Sequence, residues 1–256
     1  MPTQLALQLY TLRNFTKTPE DIARTLARVK KMGYDAVQVS AIGKIDDAEM
    51  ATILKNEGLI CCATHAGLDR LRDQTDAVIA QHKAWGCQYV ALGHTNHRTI
   101  EGWRQFIADF NAIAAKFAGS GMKLGYHNHS NELVRYDGQR PLQMMLDTYT
   151  PDVWMEIDVY WITHGGGDPA AWVEKCRGRL PCVHLKDMDI VNDENGKHVQ
   201  RMAEVGEGNL NFPRIIEACR AVGTKWFIVE QDDCYGRDPF ESAATSLRNC
   251  HALGLS

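Results

Sequence analysis

Short apolar runs and longer amphipathic stretches alternate along the whole chain. The runs are rich in β-branched and aromatic residues, which indicates buried β-strands. They cover residues 5–10, 36–40, 60–64, 89–92, 123–127, 153–159, 181–185 and 226–230. In most of the stretches that follow, apolar residues recur every three or four positions, as on one face of a helix. Residues 20–32 are the clearest case, with Pro19 at the helix start and Gly33 at its end.

The alternation amounts to about eight strand–helix units in 256 residues. Alternating elements predict a parallel sheet with helical crossovers, and this number and length predict an α/β fold, a (β/α)8 TIM barrel. We expect a single domain over residues 1–256. A doubly wound open sheet is the alternative, but no GxGxxG follows the first run. The longest segment without a helical pattern, 187–209, is predicted to be a mobile loop over the open end of the barrel.

Composition narrows the function classes. The 28 basic and 32 acidic residues leave a formal net charge of −4, which disfavours nucleic acid or anionic membrane as a partner. Apolar runs such as 59–63 are far too short to span a bilayer. No basic segment precedes the first apolar run, and the eight cysteines form no CxxC pair. We therefore expect a cytoplasmic protein with reduced thiols.

The active site of a parallel barrel lies at the carboxyl ends of its strands. Six of the ten histidines occupy such ends in the predicted strands: His65, His94, His97, His127, His129 and His184. A single histidine at a strand end more often serves packing or a loop hydrogen bond. Six at one rim indicate a functional site.

Carboxylates join the histidines at the last strand ends. Asp158, His184 and Glu230 follow the sixth, seventh and eighth runs, and the fifth run supplies His127 or His129. A mixed histidine and carboxylate set suits one divalent ion, Mn²⁺, Mg²⁺, Co²⁺ or Zn²⁺. For either carboxylate alone, a buried ion pair is the alternative.

Five motifs in this order resemble the xylose isomerase-like TIM-barrel superfamily, and within it the sugar phosphate isomerase/epimerase family. They are GYHNHSNE at 125–132, MEIDVYW at 155–161, VHLKDM at 183–188, EVGEG at 204–208 and IVEQD at 228–232. The resemblance implies one divalent metal held by Glu, Asp, His and Glu from strands five to eight. Asp158, His184 and Glu230 match the last three ligands. The first position departs from the family, because His127 or His129 stands where the usual ligand is Glu, and of the two we choose His127.

The resemblance implies a divalent-metal-dependent isomerase or epimerase of a sugar or keto-sugar. The reaction would proceed by α-proton abstraction through a metal-stabilised enediolate. In the keto-sugar epimerases, the first and last carboxylates act as paired acid and base. Here Glu230 remains and a histidine, His129, would take the other role. Lys186 is the third catalytic candidate, as an acid or an oxyanion-binding group, and a salt bridge with Asp187 or Glu207 is its alternative.

Other residues at the rim are candidates for binding a small-molecule sugar substrate. His65 and His94 would contact hydroxyl groups, and Trp161 would form an apolar wall. Glu132 follows His127 at the spacing of a second acidic residue in some relatives. No phosphate-binding loop is evident, since Glu207 stands between the glycines of the best candidate. An unphosphorylated sugar is therefore favoured.

Other functions stay open. A lyase on the same site, either an inosose-type dehydratase or a 3-keto-glycoside β-eliminating enzyme, is the main alternative because the fifth strand carries His-x-His. A non-catalytic sugar-binding barrel is a further alternative, and Gln38, where relatives often carry Glu, is a mild hint of it. Repair of abasic DNA, as in the similar endonuclease IV, is disfavoured by the net charge of −4. A homo-oligomer is possible.

Overall fold

A closed barrel of eight parallel strands forms the centre of the protein, as seen in a computed structural model that describes residues 4–256. The barrel strands are β1 Gln4–Gln8, β2 Ala36–Val39, β3 Ile60–Ala66, β4 Tyr89–Leu92, β5 Lys123–His127, β6 Trp154–Asp158, β7 Cys182–Leu185 and β10 Trp226–Val229. Neighbouring strands follow chain order, and β10 pairs with both β7 and β1 to close the ring. The predicted (β/α)8 TIM barrel is thus confirmed. Residues 1–3 of the predicted domain lie outside the described residues.

Helices surround the barrel. They are α1 Pro19–Met32, α2 Asp47–Glu57, α3 Leu68–Asp73, α4 Thr75–Ala84, α5 Ile100–Ala115, α6 Pro141–Thr148, α7 Val159–His164, α8 Pro169–Lys175, α9 Phe212–Val222 and α10 Pro239–Ala252. Two 3₁₀ segments cover Leu9–Phe15 and Asn131–Leu133. Helix α1 begins at a capping box of Thr18 and Asp21 and ends at Gly33, whose φ of 116° suits a residue without a side chain. Over residues 4–256, none of the helices combines the length and the apolar composition that a membrane span requires.

The segment predicted to be a loop is instead a β-hairpin. Strands β8 Asp187–Asn192 and β9 His198–Ala203 pair antiparallel next to the open end of the barrel. The prediction was wrong because these strands are rich in polar residues, as suits a two-stranded sheet whose side chains are mostly half-buried or exposed. Asp187 anchors the hairpin base, since its carboxylate accepts backbone N–H groups of Gly206, Gly208 and Leu210.

The barrel interior changes from apolar to polar along its axis. Its floor packs Trp154 and Trp226 against small side chains, among them Ala6, Ala36 and Cys182. Side chains two positions further along a strand face the same side. The next interior layer therefore contains polar residues, and these are Gln8, Gln38, Glu156 and His184. All four are fully buried, so each must find a partner inside the barrel.

Gly125 in β5 tests the packing of this floor. A Cβ at Gly125 would lie 2.3 Å from Cε2 of Trp154, whose Nε1 donates to the Lys123 carbonyl. We predict that Gly125→Ala lowers the free energy of unfolding by about 3 kcal/mol in urea titrations, because the indole has to move. Gly67→Ala is the control, since φ is −68° there and a Cβ meets nothing within 4 Å. Equal losses in the two variants would contradict this packing.

Candidate metal centre

Three predicted ligands meet at the mouth of the barrel. Asp158 ends β6, His184 lies in β7, and Glu230 follows β10, and one ligand atom from each lies within 4.8 Å of the others. His184 Nδ1 is 2.9 Å from Glu230 Oε2 and 3.7 Å from Asp158 Oδ2. All three side chains are buried. We call these three residues the Asp158 group.

Local hydrogen bonds orient the Asp158 carboxylate. Its Oδ1 caps helix α7 by accepting the Trp161 backbone N–H at 3.0 Å, and its own N–H donates to Asn128 Oδ1. The other oxygen, Oδ2, faces His184 and Lys186 and accepts no well-aligned hydrogen bond from the described residues. Oδ1 thus stabilises the start of α7, and Oδ2 is free to act as a metal ligand.

His127 belongs to a second cluster, which borders the Asp158 group and shares His184 with it. Its Nε2 is 3.9 Å from Asp158 Oδ2, and its Nδ1 is 3.3 Å from Glu156 Oε2. The second cluster consists of His65, His127, Glu156 and His184, again with one ligand atom of each within 4.8 Å of the others. Burial and the neighbouring His184 lower the pKa of His127 to about 4, so its imidazole is neutral at pH 7.

Lys186 supplies the positive charge at the centre. Its buried Nζ lies 3.0 Å from Asp158 Oδ2, 2.8 Å from Glu230 Oε2 and 3.0 Å from Asp232 Oδ1. The alternative partners Asp187 and Glu207 make other hydrogen bonds, to backbone N–H groups and to an asparagine. Sequence reasoning missed Asp232 as a site residue, although it stands only two residues beyond Glu230, just after β10.

Ionisation at the mouth follows from these contacts. Burial raises the pKa of Asp158, but Lys186 and His184 outweigh burial and hold that pKa at about 2. Glu230 follows the same balance, and its pKa lies well below the usual range. Burial lowers the pKa of His184 and of Lys186, yet the surrounding carboxylates raise both well above their usual values. Burial and Glu230 raise the pKa of Asp232 to about 7.

The other predicted site residues fall into different places. His129 is half-buried, and burial followed by His127 lowers its pKa to about 2, so the ring is neutral. Glu132 does not reach the cavity: it is fully buried, and it accepts hydrogen bonds from the Tyr126 hydroxyl and the His129 N–H. Trp161 stands at the mouth, with Lys186 Nζ 5.6 Å from its ring centre. His97 packs against Trp103 instead of joining the site.

A cavity of about 610 Å³ opens onto this centre. His65, His94, His127, His129, Lys186, Glu230 and Asp232 contribute to its lining, together with Tyr10 and Ser40. Among the described lining residues, Lys186 is the sole Lys or Arg. The cavity is therefore rich in imidazole and carboxylate and poor in free positive charge.

The donor set fits a divalent ion. Carboxylate oxygens and imidazole nitrogens are ligands for Mn²⁺, Co²⁺ and Zn²⁺. Asp158 Oδ2 is a buried atom without a well-aligned hydrogen-bond partner, as expected of a ligand atom. The Lys186 ammonium contacts two of the same carboxylate oxygens, so it and a divalent ion would compete for them.

Fold and site together define a class, a (β/α)8 barrel with a possible metal-binding cluster at the carboxyl ends of its strands. The chain belongs to the xylose isomerase-like TIM barrel family, which matches residues 26–250.

Two curated proteins are similar to parts of the chain. It is 24% identical to the rhizopine catabolism protein MocC of Rhizobium meliloti over 143 residues, which are 52% of this chain and 43% of the relative. It is 25% identical to the inosose dehydratase of Clostridium beijerinckii over 157 residues, which are 56% of this chain and 52% of the relative. These matches span about half the length of each relative.

Solved structures share the fold over nearly the full length. A sugar phosphate isomerase/epimerase from Parabacteroides distasonis has a TM-score of 0.81 at 23% identity, covering 97% of this chain and 98% of its own. The IolI protein, solved with a zinc atom, has a TM-score of 0.71 at 13% identity, covering 98% of both chains.

Removing the Lys186 charge tests the electrostatics of the centre. In chelator-treated protein, Lys186→Met leaves three carboxylates without their shared cation. We predict a loss of about 3 kcal/mol in the free energy of unfolding, because buried charges are left unpaired. Added Mn²⁺ should then raise the melting temperature of this variant more than that of the wild type. Lys83→Met, on the exposed face of α4, is the control. Unchanged stability of Lys186→Met without metal would contradict the proposed charge balance.

Proposed function

We propose that the protein is a divalent-metal-dependent isomerase or epimerase of a sugar or keto-sugar. The observation that carries this proposal is the convergence of Asp158, His184 and Glu230, with His127 beside them, on a cavity lined by Lys186. These four residues would hold one divalent ion, Mn²⁺, Mg²⁺, Co²⁺ or Zn²⁺. A bound ion supplies a Lewis acid that stabilises negative charge on a carbonyl oxygen.

The chain's own groups can move the proton that the reaction requires. A C–H bond next to the carbonyl breaks, its proton passes to a base, and the electron pair moves onto the carbonyl oxygen. His129 lines the cavity and its imidazole is neutral, so it is the first candidate base. Glu230 stays ionised and is the second candidate base. Lys186 stays protonated and can donate to the oxygen that gains charge.

The fate of the proton decides the reaction. Return to the opposite face of the same carbon gives an epimer, and return to the neighbouring carbon gives an isomer. Loss of a β-hydroxyl or alkoxide gives elimination instead. The lyase is our second candidate function, because His127 replaces one carboxylate of the epimerase acid–base pair. Similarity to an inosose dehydratase also favours it.

The charge of the cavity favours a neutral substrate. Lys186 is the sole Lys or Arg among the described lining residues, and three carboxylates already surround its ammonium. A phosphate group would therefore meet no free cation and would be repelled by Glu230 and Asp232. His65 and His94 line the cavity and offer hydrogen bonds to hydroxyl groups. We propose an unphosphorylated keto-sugar, glycoside derivative or inositol-type ketone.

Proton exchange in D₂O tests this function. We predict that Mn²⁺-loaded protein exchanges the α-proton of at least one unphosphorylated keto-sugar or inosose, followed by NMR. Glu230→Gln should slow the exchange by at least about 100-fold, since it removes a ligand and a candidate base. Glu194→Gln, at the exposed tip of the hairpin, is the matched control.

Product analysis then separates the two candidate functions. An isomer or epimer keeps the mass of the substrate apart from incorporated deuterium, whereas a lyase releases water or an alcohol. Exchange that survives removal of metal by EDTA, or that is unchanged in Glu230→Gln, would contradict the proposed mechanism.

A further inference from the structure

Gln38 joins three buried polar side chains beneath the metal centre. It is fully buried in β2. Its Nε2 donates to Glu156 Oε1 at 2.8 Å, and its Oε1 accepts from Gln8 Nε2 at 2.8 Å. The same Oε1 is 2.6 Å from His184 Nε2. The amide therefore links a carboxylate on one side to a candidate metal ligand on the other.

These contacts show which imidazole nitrogen of His184 must keep its proton when the other binds a metal ion. A carboxylate only accepts hydrogen bonds, so the NH₂ group of Gln38 must face Glu156 and its oxygen must face His184. An amide oxygen cannot donate, so the hydrogen bond requires a proton on His184 Nε2. Without metal, Nδ1 also carries a proton, because it lies 2.9 Å from Glu230 Oε2, which only accepts. A bound ion would take the place of that proton, so Nδ1 is the nitrogen that would present a lone pair to it.

We propose that Gln38 is a positioning residue that holds His184 in the Nε2–H tautomer, so that Nδ1 serves the metal ion. This inference rests on the proposed metal centre but not on the substrate. A protonated Nε2 cannot act as a ligand in the cluster with His65 and Glu156. The tautomer therefore also indicates which of the two clusters would bind the ion. The ion therefore belongs to the Asp158 group.

The same geometry explains why the residue is Gln. A Glu at position 38 would place a second carboxylate at hydrogen-bonding distance from Glu156 in a fully buried layer. Two like charges at that distance cannot both stay ionised. The amide satisfies Glu156 with its N–H and His184 with its oxygen at once. Gln38 is thus part of a working site and not a sign that the site has decayed.

Two measurements test this proposal: the tautomer of His184 and the affinity of the protein for Zn²⁺. In the Zn²⁺-loaded protein labelled with ¹⁵N-histidine, we expect His184 to carry its proton on Nε2. Gln38→Met should weaken Zn²⁺ binding by about 10- to 100-fold in a chelator competition, as loss of an outer hydrogen bond to a ligating histidine does. Gln8→Met is the matched control, because it removes a neighbouring buried amide and leaves the Gln38–His184 contact intact. We expect its effect to be less than about threefold.

Two results would overturn the proposal: a proton on His184 Nδ1 in the zinc-loaded wild type, or equal losses of affinity in the two variants. If Gln38→Met does not fold, the tautomer of the wild type decides alone. An Nε2-protonated, zinc-bound His184 in a protein that exchanges no sugar proton would support this inference and contradict the proposed function.

Discussion

Burial of negative charge at the mouth of the barrel is the constraint on which the rest of the site depends. Glu156, Asp158 and Glu230 lie almost entirely out of water, with Asp232 beside them. Unpaired buried charges cost several kcal/mol each, so the fold must supply compensating charge at the same place. The shared Lys186 ammonium and the His184 imidazolium meet this need. The same concentration of oxygen and nitrogen donors is what a divalent cation requires.

The layers of the barrel make this arrangement possible. Trp154 and Trp226 close the floor with apolar surface, so the polar layer above them is shielded from the far end. Within that layer, Gln38 and Glu156 satisfy each other and brace the histidines of β7 and β3. His184 belongs to this layer, and the candidate ligands Asp158 and Glu230 stand two residues beyond Glu156 and Ile228, nearer the opening. Because every second side chain of a strand faces the barrel interior, successive inward positions form an apolar floor, a polar layer above it, and the candidate site at the opening.

Strand pattern predicted most of this from sequence, because buried parallel strands are continuous apolar runs bounded by helical stretches. The polar residues that end those runs predicted Asp158, His184 and Glu230 as neighbours, and the structure brings them together. Contacts between distant strands could not be predicted in the same way. The Gln38–Glu156 bond and the triple pairing of Lys186 depend on side-chain reach across the barrel. Glu132 is close to the predicted site residues in sequence, but its carboxylate accepts the His129 backbone N–H and does not line the cavity.

We propose that one divalent ion is bound by the Asp158 group with His127. Metal analysis of protein purified without chelator tests it most directly, in the wild type and in Asp158→Asn. We predict about one divalent ion per chain in the wild type and close to none in the variant, because one of few ligands is lost. A metal-free wild type that takes up no Mn²⁺, Co²⁺ or Zn²⁺, or a variant that keeps its ion, would contradict the account.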